Sequence, residues 1–154
     1  MMYSRELQFM KFTRYTDYAI RVMIYLSVNL DHVVQIAEIA RVYDISHNHL
    51  MKVVQGLVSA GLVSSVRGRS GGLRLGRPAD QITVGELVRH TEDGFHLVEC
   101  ANCAVRPGCQ APSILSEATK AFLAVLDRYT LADVVRDKSI AHAALSLRGM
   151  YHAP

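Results

Sequence analysis

No apolar run in the 154 residues approaches the length of a membrane span. A spanning helix needs about twenty consecutive apolar residues, and the longest run here, around Ala118 to Leu126, is interrupted by Lys120. The opening stretch, MMYSRELQFMKF, lacks the apolar centre of a secretion signal. Internal repeats and low-complexity tracts are missing as well. So are the GxGxxG and GK[ST] fingerprints of nucleotide sites, and any flavin or dinucleotide signature. These absences predict a cytoplasmic chain that is not an enzyme. Cysteine is scarce, at three residues, and formal net charge is only +3. An odd, small number of cysteines in a reducing compartment argues against structural disulfides and toward metal or redox chemistry.

What is present is unevenly placed. All three cysteines fall in ECANCAVRPGC, residues 99–109, spaced C-x2-C-x5-C. Cys100, Cys103 and Cys109 are soft donors on one short loop, one ligand short of the four that zinc or an iron–sulfur cluster takes. Chemistry alone leaves both open, because His96 could complete a zinc site. Basic charge is concentrated too. Four arginines and no acid lie between Arg67 and Arg77, whereas acids recur from Asp80 to Glu99. Such a local basic patch is an electrostatic footprint for nucleic acid.

Half of the residues are hydrophobic, enough for a core in one domain or a small domain plus an oligomerisation element. Residues 1 to about 12 carry no period, and the first nine read as a loose extension. Thr13 to Leu30 is helical, with Tyr18, Val22, Tyr25 and Leu26 recurring and Arg14, Asp17 and Arg21 opposite. QIAEIARVY, residues 35–43, is a short helix. Asp44-Ile45 breaks it, and Ser46 caps SHNHLMKVVQGLVSAG, in which Leu50, Val53, Val54, Leu57 and Val58 form the buried stripe. Two helices joined so tightly match a helix-turn-helix. The second presents Ser46, His47, Asn48, His49, Lys52 and Gln55 on its polar side. Asn and Gln can bond adenine bidentately, while Lys and His can reach guanine or phosphate. An ordinary amphipathic hairpin would look the same. The next segment changes that balance: strand Leu62–Val66, the glycine-rich turn RGRSGG and strand Leu73–Leu75 make a wing. Arg67, Arg69 and Arg74 stand on it, suited to a minor groove or phosphates.

Thr83 caps a helix over VGELVRHTED. After the cysteine loop, Pro112 and Ser113 open the longest helix, to about Tyr129. Its stripe of Leu115, Ala118, Phe122, Val125 and Leu126, widened by Ile114, Ala121 and Leu123, asks for a partner helix in a symmetric dimer. Thr130 caps a short final helix, LADVV. From Asp137 onward the pattern is weak, which reads as a loose tail. The fold class is thus mainly α with a small β-hairpin wing: a winged helix-turn-helix over 10–80, a connecting helix and cysteine loop over 81–110, a dimerisation helix with a closing short helix over 111–137, and the tail over 138–154.

Several stretches together, YTDYAIRVMIYL, IAEIARVYDISHNHLMKVVQGL, VRGRSGGLRLGRPADQITVGELVR, the three-cysteine loop and YTLADVV, resemble the Rrf2 family of bacterial transcription regulators. The likeness covers roughly residues 10–135. It implies a homodimer of winged-helix domains on palindromic promoter DNA, crossed by a long dimerisation helix and regulated by an iron–sulfur cluster. SHNHLMKVVQ and FHLVEC look most like the family's nitric-oxide-sensing repressors. That likeness implies a 4Fe-4S cluster, with 2Fe-2S as the alternative, held by Cys100, Cys103, Cys109 and, from the other subunit, Asp17. It also implies that nitric oxide or cluster loss weakens DNA binding. The family's cluster-biogenesis regulators are similar but take a histidine three residues after the last cysteine, where this chain has Pro112. The usual family spacing is C-x5-C-x5-C, so the first interval here is three residues shorter, and an iron-responsive regulator is a second expectation. An iron–sulfur redox carrier or a zinc-stabilised interaction module are the rivals from other classes.

Overall fold

The structure, a computed structural model, describes residues 11–151. The expected N-terminal extension over residues 1–9 lies outside the described residues.

The first helix, α1, runs Arg14–Val28, and Thr13 caps it by accepting the Thr16 amide at 3.2 Å. It buries Ala19, Val22, Met23 and Leu26, one stripe at helical spacing. The expected stripe holds at Val22, Tyr25 and Leu26, but Tyr18 is only half-buried, and Ala19 and Met23 take core positions. Helix α2, Ile36–Tyr43, ends where Asp44 turns left-handed at φ 53°. A side chain of that type tolerates the conformation better than most. Ile45 is buried behind the turn, and helix α3 follows over His47–Ser59. Leu50, Val53, Val54 and Leu57 of α3 close the core against α1 and α2. Ser46 holds the expected cap position, but its hydroxyl makes no capping bond; it stays exposed.

Strands β1, Val63–Val66, and β2, Gly72–Leu75, pair antiparallel, with Ser64 opposite Arg74 and Val66 opposite Gly72. Alternation sends Leu73 inward and Arg74 outward. Gly68 at φ 110° makes the tip. The wing's base is fastened twice. Val34 and Leu73 exchange main-chain bonds of 3.0 and 2.8 Å, and the Gln35 side-chain amide donates to Gly71 O.

Helix α4, Val84–Thr91, is capped by Thr83 and packs Leu87 and Val88 inward. Helix α5, Ala111–Leu126, has no buried residue along its 16 positions. The turn that follows it is pinned to the rest. Val84 N–H donates to Tyr129 O at 2.8 Å, and Arg89 holds Asp127 through two bonds of 2.5 and 2.7 Å. Helix α6, Leu131–Val134, carries the Thr130–Asp133 capping box and buries Leu131.

The tail differs from expectation. Over Lys138–Tyr151 it is a helix, α7, and not loose. The Asp137 carboxylate caps it, accepting the amides of Ser139 at 3.0 Å and Ile140 at 3.1 Å. Its inward stripe is narrow: Ala141, Leu145 and Gly149 are its half-buried positions, Leu145 packs on the core, and Gly149 lies against Val42 of α2. Exposed Ile140, Leu147 and Met150 blur that stripe in the sequence.

One ion pair near α2 has a pH signature. His32 Nδ1 lies 3.0 Å from Asp31 Oδ1, and Nε2 lies 3.5 Å from a Glu38 carboxylate oxygen. The hydrogen bond to Asp31 raises the His32 pKa above its ordinary value, with Glu38 adding to it. A raised folded pKa contributes stability that is fully present below the ordinary imidazole value and lost as pH rises through the folded one. We expect the melting temperature of His32→Gln to fall below that of the unaltered protein at about pH 5.5 and to converge with it by about pH 9. Parallel melting curves across that range would count against the pair.

Candidate functional site

Two groups of residues face solvent with chemistry to offer. The first is the helix-turn-helix with its wing. Ser46, His47, Asn48, His49, Lys52 and Gln55 are all exposed. Their side chains are not equivalent. At 100° per residue, Asn48, Lys52 and Gln55 share the centre of the outward face, opposite buried Leu50, Val53 and Leu57. His49 turns toward α1, where its ring lies 6.4 Å from that of Tyr18. His47 sits at the opposite flank. Met51, 39% exposed beside Lys52, joins the outward side and was not foreseen. It is an apolar surface of the kind a thymine methyl meets. Arg67, Arg69 and Arg74 are exposed on the wing. The structure thus brings all nine candidates onto the helix-turn-helix and the wing.

The second group is the cysteine loop. It lies between α4 and α5 and advances by three-residue turns. Cys103 N–H reaches Cys100 O at 3.5 Å, Arg106 N–H reaches Cys103 O at 3.2 Å, and Cys109 N–H reaches Arg106 O at 3.3 Å. Cys103 is exposed, while Cys100 and Cys109 are half-buried, and all three are free thiols. Cys100 lines an open groove with His96, Arg106 and Leu115. Among the described residues, no three Cys, His, Asp or Glu side chains converge as a metal-holding group. The donor set still suits a soft metal centre: three thiols, unpaired in disulfides, within ten residues and open to solvent.

Asp17 is not beside this loop's thiols in a metal-holding group. On α1 its carboxylate takes Arg21 Nε at 2.9 Å and Nη2 at 3.3 Å. The Arg21 guanidinium in turn lies 5.7 Å from the Tyr43 ring centre at the end of α2.

A third feature joins the two groups. Glu92, just past α4, accepts the Thr13 amide at 2.9 Å and the Thr13 hydroxyl at 3.1 Å. Partial burial would raise its pKa, but the hydrogen bonds from Thr16 and Thr13 outweigh that and hold the carboxyl below its ordinary value. Around it, Phe122 of α5 lies 6.2 Å from Phe12 and 6.4 Å from Phe95, by ring centres. These rings and Glu92 border a cavity of about 350 Å³.

The family profile described as "Rrf2: Iron-dependent Transcriptional regulator" matches residues 12–137. The chain belongs to the Rrf2 family. Among its relatives, the HTH-type transcriptional regulator NsrR of Bacillus licheniformis is 46% identical over 143 residues, covering 89% of this chain and 100% of the relative. NsrR of Bacillus subtilis is 49% identical over 135 residues, covering 84% and 92%. Among solved structures, "T. potens IscR" matches with a TM-score of 0.69 at 29% identity, covering 83% of this chain and 88% of that one. CymR, titled the global cysteine regulator of B. subtilis, matches at 0.65 and 28%, covering 83% and 98%.

As an Rrf2 chain, this protein is a transcriptional regulator with a winged-helix fold. The nine polar candidates lie on the elements that such a fold presents to DNA. Helix α7 begins one residue past the end of the family match. Among the described residues no helix is long and apolar enough to cross a membrane. Glu92 carries no motif and is not among the sequence candidates, and Tyr18 is expected only as part of the apolar stripe of α1.

Proposed function

We propose that this Rrf2 regulator is a homodimeric repressor that binds palindromic promoter DNA and loses affinity when an iron–sulfur cluster on its cysteine loop meets nitric oxide or is lost. The observation that carries the reading is the loop's position. Three free thiols stand between the winged domain and the unburied helix α5, in a chain 46% and 49% identical to relatives named NsrR.

Cys100, Cys103 and Cys109 would hold the cluster, with Asp17 of a second copy as fourth ligand. Bound there, a 4Fe-4S or 2Fe-2S cluster supplies an iron centre reactive toward nitric oxide. A carboxylate is a harder donor than thiolate, so the Asp17 bond would be the weakest of the four. In a lone chain Arg21 already engages that carboxylate. Release from the loop therefore leaves Asp17 a waiting counter-ion on its own helix. Such a bond between copies sets the spacing of two α3 helices, which two half-sites about one helical turn apart require. Asn48, Lys52 and Gln55 would read bases, and Arg67, Arg69 and Arg74 would hold backbone. Phosphate contacts of this kind make affinity fall steeply with salt.

A second reading is response to iron status, favoured by the family description "Iron-dependent" and by the C-x2-C interval. Gel shifts separate the two. Chain purified without oxygen is bound to a duplex selected from random DNA, then treated with a nitric oxide donor or with an iron chelator. Fast release by nitric oxide is the expected result. Release by chelator alone favours iron sensing, and binding indifferent to both rejects cluster control.

A further inference from the structure

We propose that Glu92 is a positioning residue that couples the cysteine loop to the DNA-reading helix within a single chain. Glu92 has this role only if the loop controls DNA binding, as proposed above. The route is made of four contacts. Glu92 stands where α4 gives way to the segment that carries the cysteines, and its carboxylate takes both the amide and the hydroxyl of Thr13. Thr13 is the cap of α1, so the root of the loop and the start of α1 share one anchor. From α1 two tyrosines then grip α3. Tyr18 packs beside His49 in the first turn of α3, and the Tyr15 hydroxyl fills the space left by Gly56 two turns on. A Cβ at Gly56 would lie 1.9 Å from that hydroxyl. Gly56 thus keeps a notch open at some expense in helix propensity.

Rigid helices gripped at two points move together or not at all. A change at the loop that draws Glu92 away loosens the α1 cap, and α1 cannot tilt without carrying α3. The same junction touches α5 through Phe122, between Phe12 and Phe95. All three parts of the chain therefore meet at the residues flanking Glu92. This link differs from the Asp17 bond between copies, because each chain's loop acts on its own reading helix.

The test is the ratio of Kd values for the selected duplex between cluster-stripped and cluster-loaded protein. Glu92→Ala is expected to cut that ratio about fivefold or more, the usual size of a lost coupling. The visible spectrum should not change, since Glu92 holds no metal. Glu92→Gln should keep most of the ratio, because its amide oxygen can accept the same two bonds. At the far end, Gly56→Ala displaces Tyr15 and should lower the ratio likewise, and adding Tyr15→Phe should restore it. A purely structural lesion would weaken both states equally and leave the ratio alone. An unchanged ratio in both Glu92→Ala and Gly56→Ala overturns the coupling route. A ratio of one in the unaltered protein overturns cluster control itself, and the route with it.

Discussion

Cys103→Ala is expected to yield a colourless chain from an oxygen-free purification, with iron and sulfide far below one cluster per subunit, and the unaltered protein a brown one. Removing one of three thiolates leaves only two of the soft donors that a cluster takes. The fold should hardly notice. Cys103 is exposed and its thiol makes no disulfide, and surface substitutions of that kind stay within about 0.5 kcal/mol. Circular dichroism and melting temperature thus separate ligand loss from misfolding. The variant should also lose its response to nitric oxide completely, not partially. Asp17→Ala should behave differently: colour retained at first, then bleached faster, because the weakest donor is gone but three thiolates remain. A Cys103→Ala protein that keeps the visible band and its iron would refute the cluster assignment on this loop. An Asp17→Ala dimer that responds to nitric oxide normally would refute the fourth ligand alone.

The winged domain was legible because local signals agreed. Thr83 and Thr130 each sit before an apolar stripe and form the caps expected of them, and Thr13 caps α1 in the same way. Asp44-Ile45 breaks the pattern where the backbone does turn left-handed. The wing's alternation, with Leu73 in and Arg74 out, is the register observed. Boundaries moved by a few residues at most, as at the end of α5, which stops at Leu126 so that Tyr129 can reach Val84. Helix α7 was missed for a physical reason. It docks through Ala141, Leu145 and Gly149, two of them too small to register as a hydrophobic face. Its capping residue, Asp137, was in plain view but had no stripe behind it to give it meaning.

The candidate site was legible in its chemistry and not in its wiring. Thiols and exposed arginines announce themselves by type. The angular position of His49, turned to Tyr18 and away from the outward face, follows from counting residues around α3. The Glu92–Thr13 anchor spans 79 positions, and no periodicity joins such distant residues. The pairing of Asp17 with Arg21 was available at i, i+4 spacing. It bears on the ligand question because Arg21 and an iron centre would compete for the same carboxylate.

Ile114→Glu combined with Val125→Glu is expected to turn a dimer into a folded monomer and to weaken operator binding by about a hundredfold or more. Ile114, Ala118, Ala121 and Val125 recur at intervals of four, three and four, the repeat of a coiled-coil seam. All four are exposed, Ile114 by 62% and Val125 by 43%. Burying Ile or Val fully against a second α5 contributes about 1.5–3 kcal/mol per side chain. Four such positions, two on each copy, make the difference between association and none. Facing glutamates would replace that gain with like-charge repulsion. The lone chain should remain folded, because α5 contributes no buried residue and stays pinned by Arg89–Asp127 and Val84–Tyr129. DNA affinity falls for a separate reason. Two linked reading heads gain an avidity of about 10²–10⁴ over one, and the monomer forfeits it. Sedimentation measures the first effect and a gel shift the second. If the variant stays dimeric with native affinity, α5 is not the seam, and the exposed stripe on α7 becomes the face to mutate next.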